Sequence, residues 1–423
     1  MPVPAQEQAL PKVLPGNWEM VTSNGIPAIL FAYMRILISA GEASGEVYGA
    51  GLLESLRHLG SMLPEVGAIE AFGLGGERMR AAGCDLVVDA KNVAVVGIVE
   101  VLTHLPGIYG SFRRLVAEAD KRKPDVAVLI DFPDFNFRLA KELHKRGVPV
   151  VYYVSPQLWA WRPKRLELVK KYVRKMLVIF PFEEGWYRER GVEAEFTGHP
   201  LAELERPKIS RAQFAARYKL DPNLAWIALL PGSRKKEVRM NLPEILQAAQ
   251  MFKTSYEFLL PVASTLPRFW MEDQVSHCLQ VHPGPIKLTY TDDARETLLH
   301  ARAAAVASGT ATVEAAILGT PFVMVYRVAP VTYALGKRLV KVPFYAMPNL
   351  IAGRQIVPEL VQESFSARNV ATELQRVIPD GLERRKMIDG LIEVRSRLHG
   401  EAAMISTACE RAAQAVIRVL HPE

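Results

Sequence analysis

Cysteine is scarce in this chain. Three are present among 423 residues, Cys84, Cys278 and Cys409, far apart in sequence. That spacing offers no disulfide framework and no metal-ligand pattern, so a reducing compartment is expected. No stretch approaches the ~20 apolar residues of a membrane-spanning helix. No basic segment precedes the short apolar run Ile26–Tyr33, which argues against a signal peptide. Gly-x-Gly-x-x-Gly is absent after the first strand pattern, where the spacing is Gly41-x-x-x-Gly45, and no Gly-Lys-Ser/Thr follows. A nicotinamide fingerprint and a P-loop are thereby excluded. There is no Asp-x-Asp metal motif and no motif that reads DNA or RNA. No metal, no cofactor and no nucleic-acid partner is expected.

What is present is globular, with a basic balance. Hydrophobic residues make up 49% and charged residues 23%, a composition that supports packed cores rather than disorder. The length suggests two or three domains. A net charge of +7 points to acidic partners, phosphates or an anionic membrane surface among them. The densest basic stretch is Arg162, Lys164, Arg165, Lys170, Lys171, Arg174 and Lys175, either a solvated helix face or a membrane contact.

Strand and helix patterns alternate, which predicts parallel sheets. Residues 1–33, rich in proline and polar residues, read as a disordered extension ahead of a natural start at Met34. Apolar strands are expected at Ile36–Ala40, Ile69–Gly73, Leu86–Val88, Val126–Ile130, Val148–Val154 and Met176–Phe180, with a helical pattern over Gly97–Ala119. Residues 201–222 read as a linker. A second strand series follows at Trp226–Leu230, Phe258–Val262, Ile286–Tyr290, Ala304–Ala307 and Phe322–Tyr326, and only helices beyond about residue 365. The expected fold class is α/β: two doubly wound Rossmann-like domains, 34–200 and 201–365, facing across a cleft, and a helical segment 366–423.

Ligands of such sheets sit beyond the carboxyl ends of the strands, against helix N-termini. Ser308-Gly309-Thr310 joins an apolar strand to a small-residue helix and suits a phosphate. Glu314, four residues after Thr310, is too far for a capping box, so it is expected to reach ribose hydroxyls. Pro231-Gly232-Ser233-Arg234 repeats the turn, and Arg234 could pair with a diphosphate or be a plain surface arginine. The small residues Gly41, Ser44 and Gly45 permit close substrate approach or simply make a turn. In Ile130-Asp131-Phe132-Pro133-Asp134-Phe135-Asn136, proline keeps Phe132 extended and delays the helix, so that Asp134 or Asn136 is its N-cap. That leaves Asp131 as a general base or as a buried aspartate holding the loop. Trp159 and Trp161 could stack on a ring or pack in the core. Asn349 and Arg354 lie in a turn-rich loop, as polar ligand contacts or as structure. The apolar residues between Val96 and Leu115, flanked by Arg113 and Arg114, form a core face or a membrane-facing helix.

Taken together these segments resemble the lipid-A-disaccharide synthase family over nearly all of residues 34–420. The resemblance rests on eight segments in family order. These are Ser39–Glu46, Val96–Leu102, Ile130–Asn136, Tyr153–Pro156 leading to Trp159–Arg162, Leu229–Arg234, Ala307–Glu314, Lys337–Lys341 and Pro348–Arg354. It implies a two-domain GT-B fold whose C-terminal helices return to the first domain. It implies inverting transfer from UDP-2,3-diacylglucosamine to 2,3-diacylglucosamine 1-phosphate, at the cytoplasmic face of the inner membrane as a peripheral protein. Asp131 matches the proposed catalytic base, Arg234 the arginine at the UDP diphosphate, Glu314 the glutamate at the ribose, and Asn349 the asparagine of the Pro-Asn-Leu loop. Glu46 departs from the family's usual aspartate. The C-terminal helices could pack in cis or swap between protomers, which leaves a homodimer open.

Overall fold

The computed structural model describes residues 17–19, 31–63, 66–93, 98–161, 163–252, 256–329, 333, 342–400 and 405–420. They form two compact units. The first draws on Met1–Pro156, Glu167–Leu177 and Cys409–Glu423, the second on Gln157–Leu166 and Val178–Ala408.

The first sheet comprises β1 (Asn17–Glu19), β2 (Phe31–Ala40), β3 (Ala68–Gly75), β4 (Asp85–Asp89), β5 (Val126–Ile130), β6 (Val150–Tyr153), β7 (Lys175–Val178) and β8 (Ala194–Phe196). Its order is β4-β3-β2-β5-β6-β7-β8, with β1 beside β2. β5 and β6 are apolar and buried at every position, as parallel strands covered on both faces must be. The chain runs outward from β2 to β4, then returns to β5 and runs the other way. The reversal falls between β2 and β5, where Ala40 pairs with Ile130.

The second sheet comprises β9 (Ala225–Leu230), β10 (Tyr256–Pro261), β11 (Leu288–Thr291), β12 (Ala303–Ala307), β13 (Phe322–Tyr326) and β14 (Glu359–Val361). All its pairings are parallel, in the order β11-β10-β9-β12-β13-β14. Its reversal lies between β9 and β12, with Leu230 opposite Val306. Four of the five β12 residues are alanine, which lets the helix Thr310–Leu318 pack closely over the sheet. Among the C-terminal helices, Ala367–Val377 and Leu382–His399 pack in the second unit. From Cys409 onward the helix Ala408–Leu420 belongs to the first unit. There it touches the helix Ala43–Met62 at Gly51, where an added Cβ would lie 2.8 Å from the Cys409 Sγ.

Three local expectations are corrected. Within segment 1–33, Asn17–Glu19 pairs antiparallel with Phe31–Tyr33. β2 begins ahead of its ladder with β3, which starts at Tyr33, so the backbone of Phe31 and Ala32 takes β1 as partner. The rest of residues 1–30 lies outside the described residues. Residues 201–222 hold a helix, Arg211–Tyr218, opened by a reciprocal Ser210–Gln213 capping box. Its Phe214 is fully buried, 5.7 Å ring to ring from Trp226. The helix after β5 begins at Pro133, because a proline in the first turn loses no hydrogen bond. Phe132 avoids the clash before proline by turning left-handed, at φ 49°, rather than by staying extended. Neither Asp134 nor Asn136 is therefore the N-cap. Among the described residues no helix is long and apolar enough to cross a membrane, and no cluster of His, Cys, Asp and Glu could hold a metal ion.

Candidate active site

Both sheets reverse where two expected site turns emerge side by side, and open sheets form their ligand crevices at such points. In the first unit these are the turns after β2 and β5. Asp131 and Phe132 have φ of 46° and 49°, and Val154, at the end of the neighbouring β6, has φ of 62°. Left-handed backbone costs a side-chain-bearing residue roughly 1–2 kcal/mol, and such strain collects at functional sites. The surroundings fix it. The Asp131 carbonyl accepts from Tyr152 Oη at 2.6 Å and from Asn136 Nδ2 at 2.8 Å, and its N–H donates to the Tyr153 carbonyl at 3.1 Å. Asn136 is fully buried, and its Oδ1 accepts from Ser39 Oγ at 2.7 Å. One amide thus ties the end of β2 to the turn that presents Asp131.

Gly41 has a steric task. A Cβ there would stand 2.3 Å from Cδ1 and 2.7 Å from Cγ of Phe132. The glycine lets this ring lie on the first turn, stacked on Phe135 at 5.5 Å. Gly45 is less constrained, since its added Cβ would meet nothing nearer than 3.6 Å. Ser44 is half-buried in the first turn of the helix Ala43–Met62. Glu46 Oε1 accepts from Arg78 N at 2.7 Å, at the start of the helix Glu77–Ala81. Its carboxylate lies where a Cβ on Gly76 would be, 2.5 Å away. The longer side chain at position 46 therefore serves a neighbouring helix end.

In the second unit the turns follow β9 and β12. Gly232 has φ of 128°, a backbone state that suits glycine. Ser233 N donates to Glu237 Oε2 at 3.1 Å, and Arg234 Nη1 meets Glu237 Oε1 at 3.2 Å. The Ser233 carbonyl accepts from Thr265 Oγ1 at 2.6 Å, and buried Asn241 donates to the Pro231 carbonyl at 2.9 Å. Arg234 itself is more than half exposed. Across the reversal, Gly309 is the N-cap of Thr310–Leu318 at φ 144°, with no side chain capping the helix. Thr310 is exposed, and among the described residues Ser308 Oγ reaches only the Tyr345 carbonyl, at 3.4 Å. Glu314 is half-buried, and no hydrogen bond or ion pair holds its carboxylate among the described residues. Burial raises its pKa above the ordinary carboxylate range, Arg295 opposing and Asp293 adding to the effect.

The remaining expected positions lie differently. Asn349 is fully buried, and its amide is used up within its own loop. Nδ2 donates to Val357 O at 2.9 Å and Glu359 Oε1 at 2.8 Å, while Oδ1 accepts from Ile356 N at 2.7 Å and Val357 N at 2.9 Å. Arg354 is exposed and pairs with Glu393 of the helix Leu382–His399. Trp159 donates to the buried Glu183 at 2.9 Å and stands edge-on to Phe182, a core role. The side chains of 94–105, 161 and 162, and residues 334–341, lie outside the described residues. Asn136 and Glu237 were missed by sequence reasoning as organisers of the two sites. The available signal for Glu237 was an acidic residue in the first turn of the helix that opens after Arg234.

Comparison with known proteins bears on this arrangement. A family model described as lipid-A-disaccharide synthetase matches residues 36–416. The lipid-A-disaccharide synthase of Koribacter versatilis is 61% identical over 386 residues, covering 91% of this chain and 98% of that protein. Among solved structures, the UDP-GlcNAc 2-epimerase from Neisseria meningitidis bound to UDP-GlcNAc aligns with a TM-score of 0.59 at 12% identity, over 92% of this chain and 100% of its own. The calicheamicin glycosyltransferase CalG4 aligns with a TM-score of 0.55 at 17% identity, over 92% and 99%. These two share the fold, which is GT-B. The sequence relationship decides the family: this chain is a glycosyltransferase and belongs to the lipid-A-disaccharide synthases.

Proposed function

We propose that the chain transfers 2,3-diacylglucosamine from UDP-2,3-diacylglucosamine to the 6-hydroxyl of 2,3-diacylglucosamine 1-phosphate. The products are the β-1,6-linked disaccharide 1-phosphate and UDP. The acceptor oxygen attacks the donor's anomeric carbon, its proton passes to the Asp131 carboxylate, and the bond to the diphosphate breaks. Arg234, the N–H groups of the Gly232–Ser233 turn and the start of the helix at Thr310 take up the charge of the departing diphosphate. Glu314 takes the ribose hydroxyls. This division needs no metal, because cationic and N–H donors supply the electrophilic assistance. UDP-GlcNAc in the Neisseria epimerase of the same fold supports a UDP-sugar donor. The observation that carries the reading is the pairing of site turns at both sheet reversals, with Asp131 strained at one and Arg234 and Glu314 at the other.

Asn349 acts here by shaping its loop rather than by touching the donor, given its saturated amide. The protein works at the cytoplasmic face of the inner membrane, where exposed Arg113 and Arg114 on the helix Ile98–Arg122 suit anionic lipid. Replacing both with Glu should weaken binding to anionic vesicles, and unchanged binding moves the contact elsewhere. The deciding experiment measures UDP release with and without the monophosphate acceptor. Release should depend on the acceptor and fall about 10²–10⁴-fold in Asp131→Ala, the usual share of a general base. Release that ignores the acceptor would refute these substrates.

A further inference from the structure

The turn read above as the diphosphate site is already engaged by a carboxylate. Glu237 Oε2 takes the Ser233 N–H at 3.1 Å and Oε1 takes Arg234 Nη1 at 3.2 Å. The side chain lies against Gly232 so closely that an added Cβ would stand 2.7 Å from Oε2. Its negative charge also helps raise the pKa of Tyr326, at the end of β13, after burial as the larger cause. The carboxylate therefore occupies the strand-end face of the sheet, where the nucleotide turns emerge. Asn241 and Thr265 hold the same turn independently, through the Pro231 and Ser233 carbonyls.

We infer that Glu237 is an internal anion that holds the diphosphate donors in the empty enzyme and opposes the nucleotide for them. The inference rests on the diphosphate reading of this turn. When the diphosphate arrives, Arg234 and the Ser233 N–H pass from Glu237 to phosphate oxygens. The carboxylate stays nearby and repels the nucleotide. Its effect is to keep donor and UDP affinity low enough for product to leave, while keeping the turn shaped between turnovers.

The test is the isosteric Glu237→Gln, which keeps an acceptor for the Ser233 N–H and removes the charge. UDP binding, measured by calorimetry on the full chain, should tighten roughly tenfold, or ~1.4 kcal/mol. Uridine, which has no phosphate, should bind unchanged. In steady state, KM for the donor should fall and inhibition by UDP should deepen. Arg234→Ala serves as the site control and should weaken UDP binding. If Glu237→Gln leaves UDP affinity unchanged or lowers it while Arg234→Ala still weakens binding, the turn is the diphosphate site and Glu237 is only its scaffold. If uridine tightens as much as UDP, charge opposition is refuted as well. If Arg234→Ala leaves UDP binding intact, the diphosphate reading itself fails, and this inference with it.

Discussion

Gly41→Ala isolates a single steric demand at the first reversal. The added methyl would sit 2.3 Å from Phe132 Cδ1, 2.6 Å from Cε1 and 2.7 Å from Cγ. Because Cγ is the root of the ring, a swing of the ring tip gives no relief. The whole ring must retreat by about 1 Å to regain ordinary contact, and it is held against Phe135 at 5.5 Å. The retreat acts on Phe132 and Asp131, two consecutive left-handed residues. Overpacking of this kind costs about 1–3 kcal/mol in stability, and a 1 Å misplacement of a catalytic group about 10²-fold in rate. Acceptor-dependent UDP release in Gly41→Ala should therefore drop by about two orders of magnitude, with a modest loss of thermal stability. Gly45→Ala, whose new methyl meets only ordinary contacts from 3.6 Å outward, should stay close to wild type in both. Gly41→Ala/Phe132→Ala should recover stability without recovering full rate. Wild-type turnover in Gly41→Ala would show that the position of Asp131 does not depend on this ring.

Other substitutions probe separate parts. Burial raises the Glu314 pKa, so the folded state holds this proton to higher pH than the unfolded chain does. Stability then falls as pH rises from the ordinary carboxylate range through the raised value, with the full cost above it. Glu314→Gln should melt higher than wild type at pH 8, converge with it in acid, and bind the donor more weakly. Asn349→Ala removes four hydrogen bonds and leaves the buried N–H and carbonyl of Val357 unmet, and should lower stability in urea by roughly 2–4 kcal/mol, with little change in donor affinity of the folded fraction. Burial lowers the His199 pKa to about 3 from 6.5, so the fold requires the neutral ring. That contribution is intact above about pH 6.5 and lost as pH falls toward about 3. His199→Asn, which can still accept from Leu201 N, should flatten this part of the acid-denaturation curve.

The sheets were largely legible because buried parallel strands are continuous apolar runs. Val126–Ile130 is found as expected, and Trp226–Leu230 begins one residue earlier, at Ala225. β8 and β14 were not anticipated. Each is a three-residue edge strand carrying a charged residue, Glu195 or Glu359, and so has no apolar run to see. The site turns were legible from their residue types and their place after strands. Their conformations were not, because the left-handed turn at Asp131 and Phe132 is held by Tyr152 of β6 and by Asn136 of the following helix, itself anchored to Ser39 of β2. Asn349 looked like a ligand contact for a similar reason: its partners Ile356, Val357 and Glu359 follow it closely, but nothing local says that they fold back onto its amide.

The first unit is assembled from three separate stretches of chain, the last beginning at Cys409. Synthesis runs from the amino end at about 5–20 residues per second. The contact at Gly51 on the helix Ala43–Met62 must therefore wait for Cys409, which emerges after the whole second sheet has been made. The unit that starts first is completed last. On the ribosome, the second unit can close while the first still exposes the part of the helix Ala43–Met62 that Cys409 meets. A nascent chain stalled short of Cys409 would present that part to chaperones, and shortening the chain at its carboxyl end would weaken the half that carries Asp131 rather than the half nearest the cut.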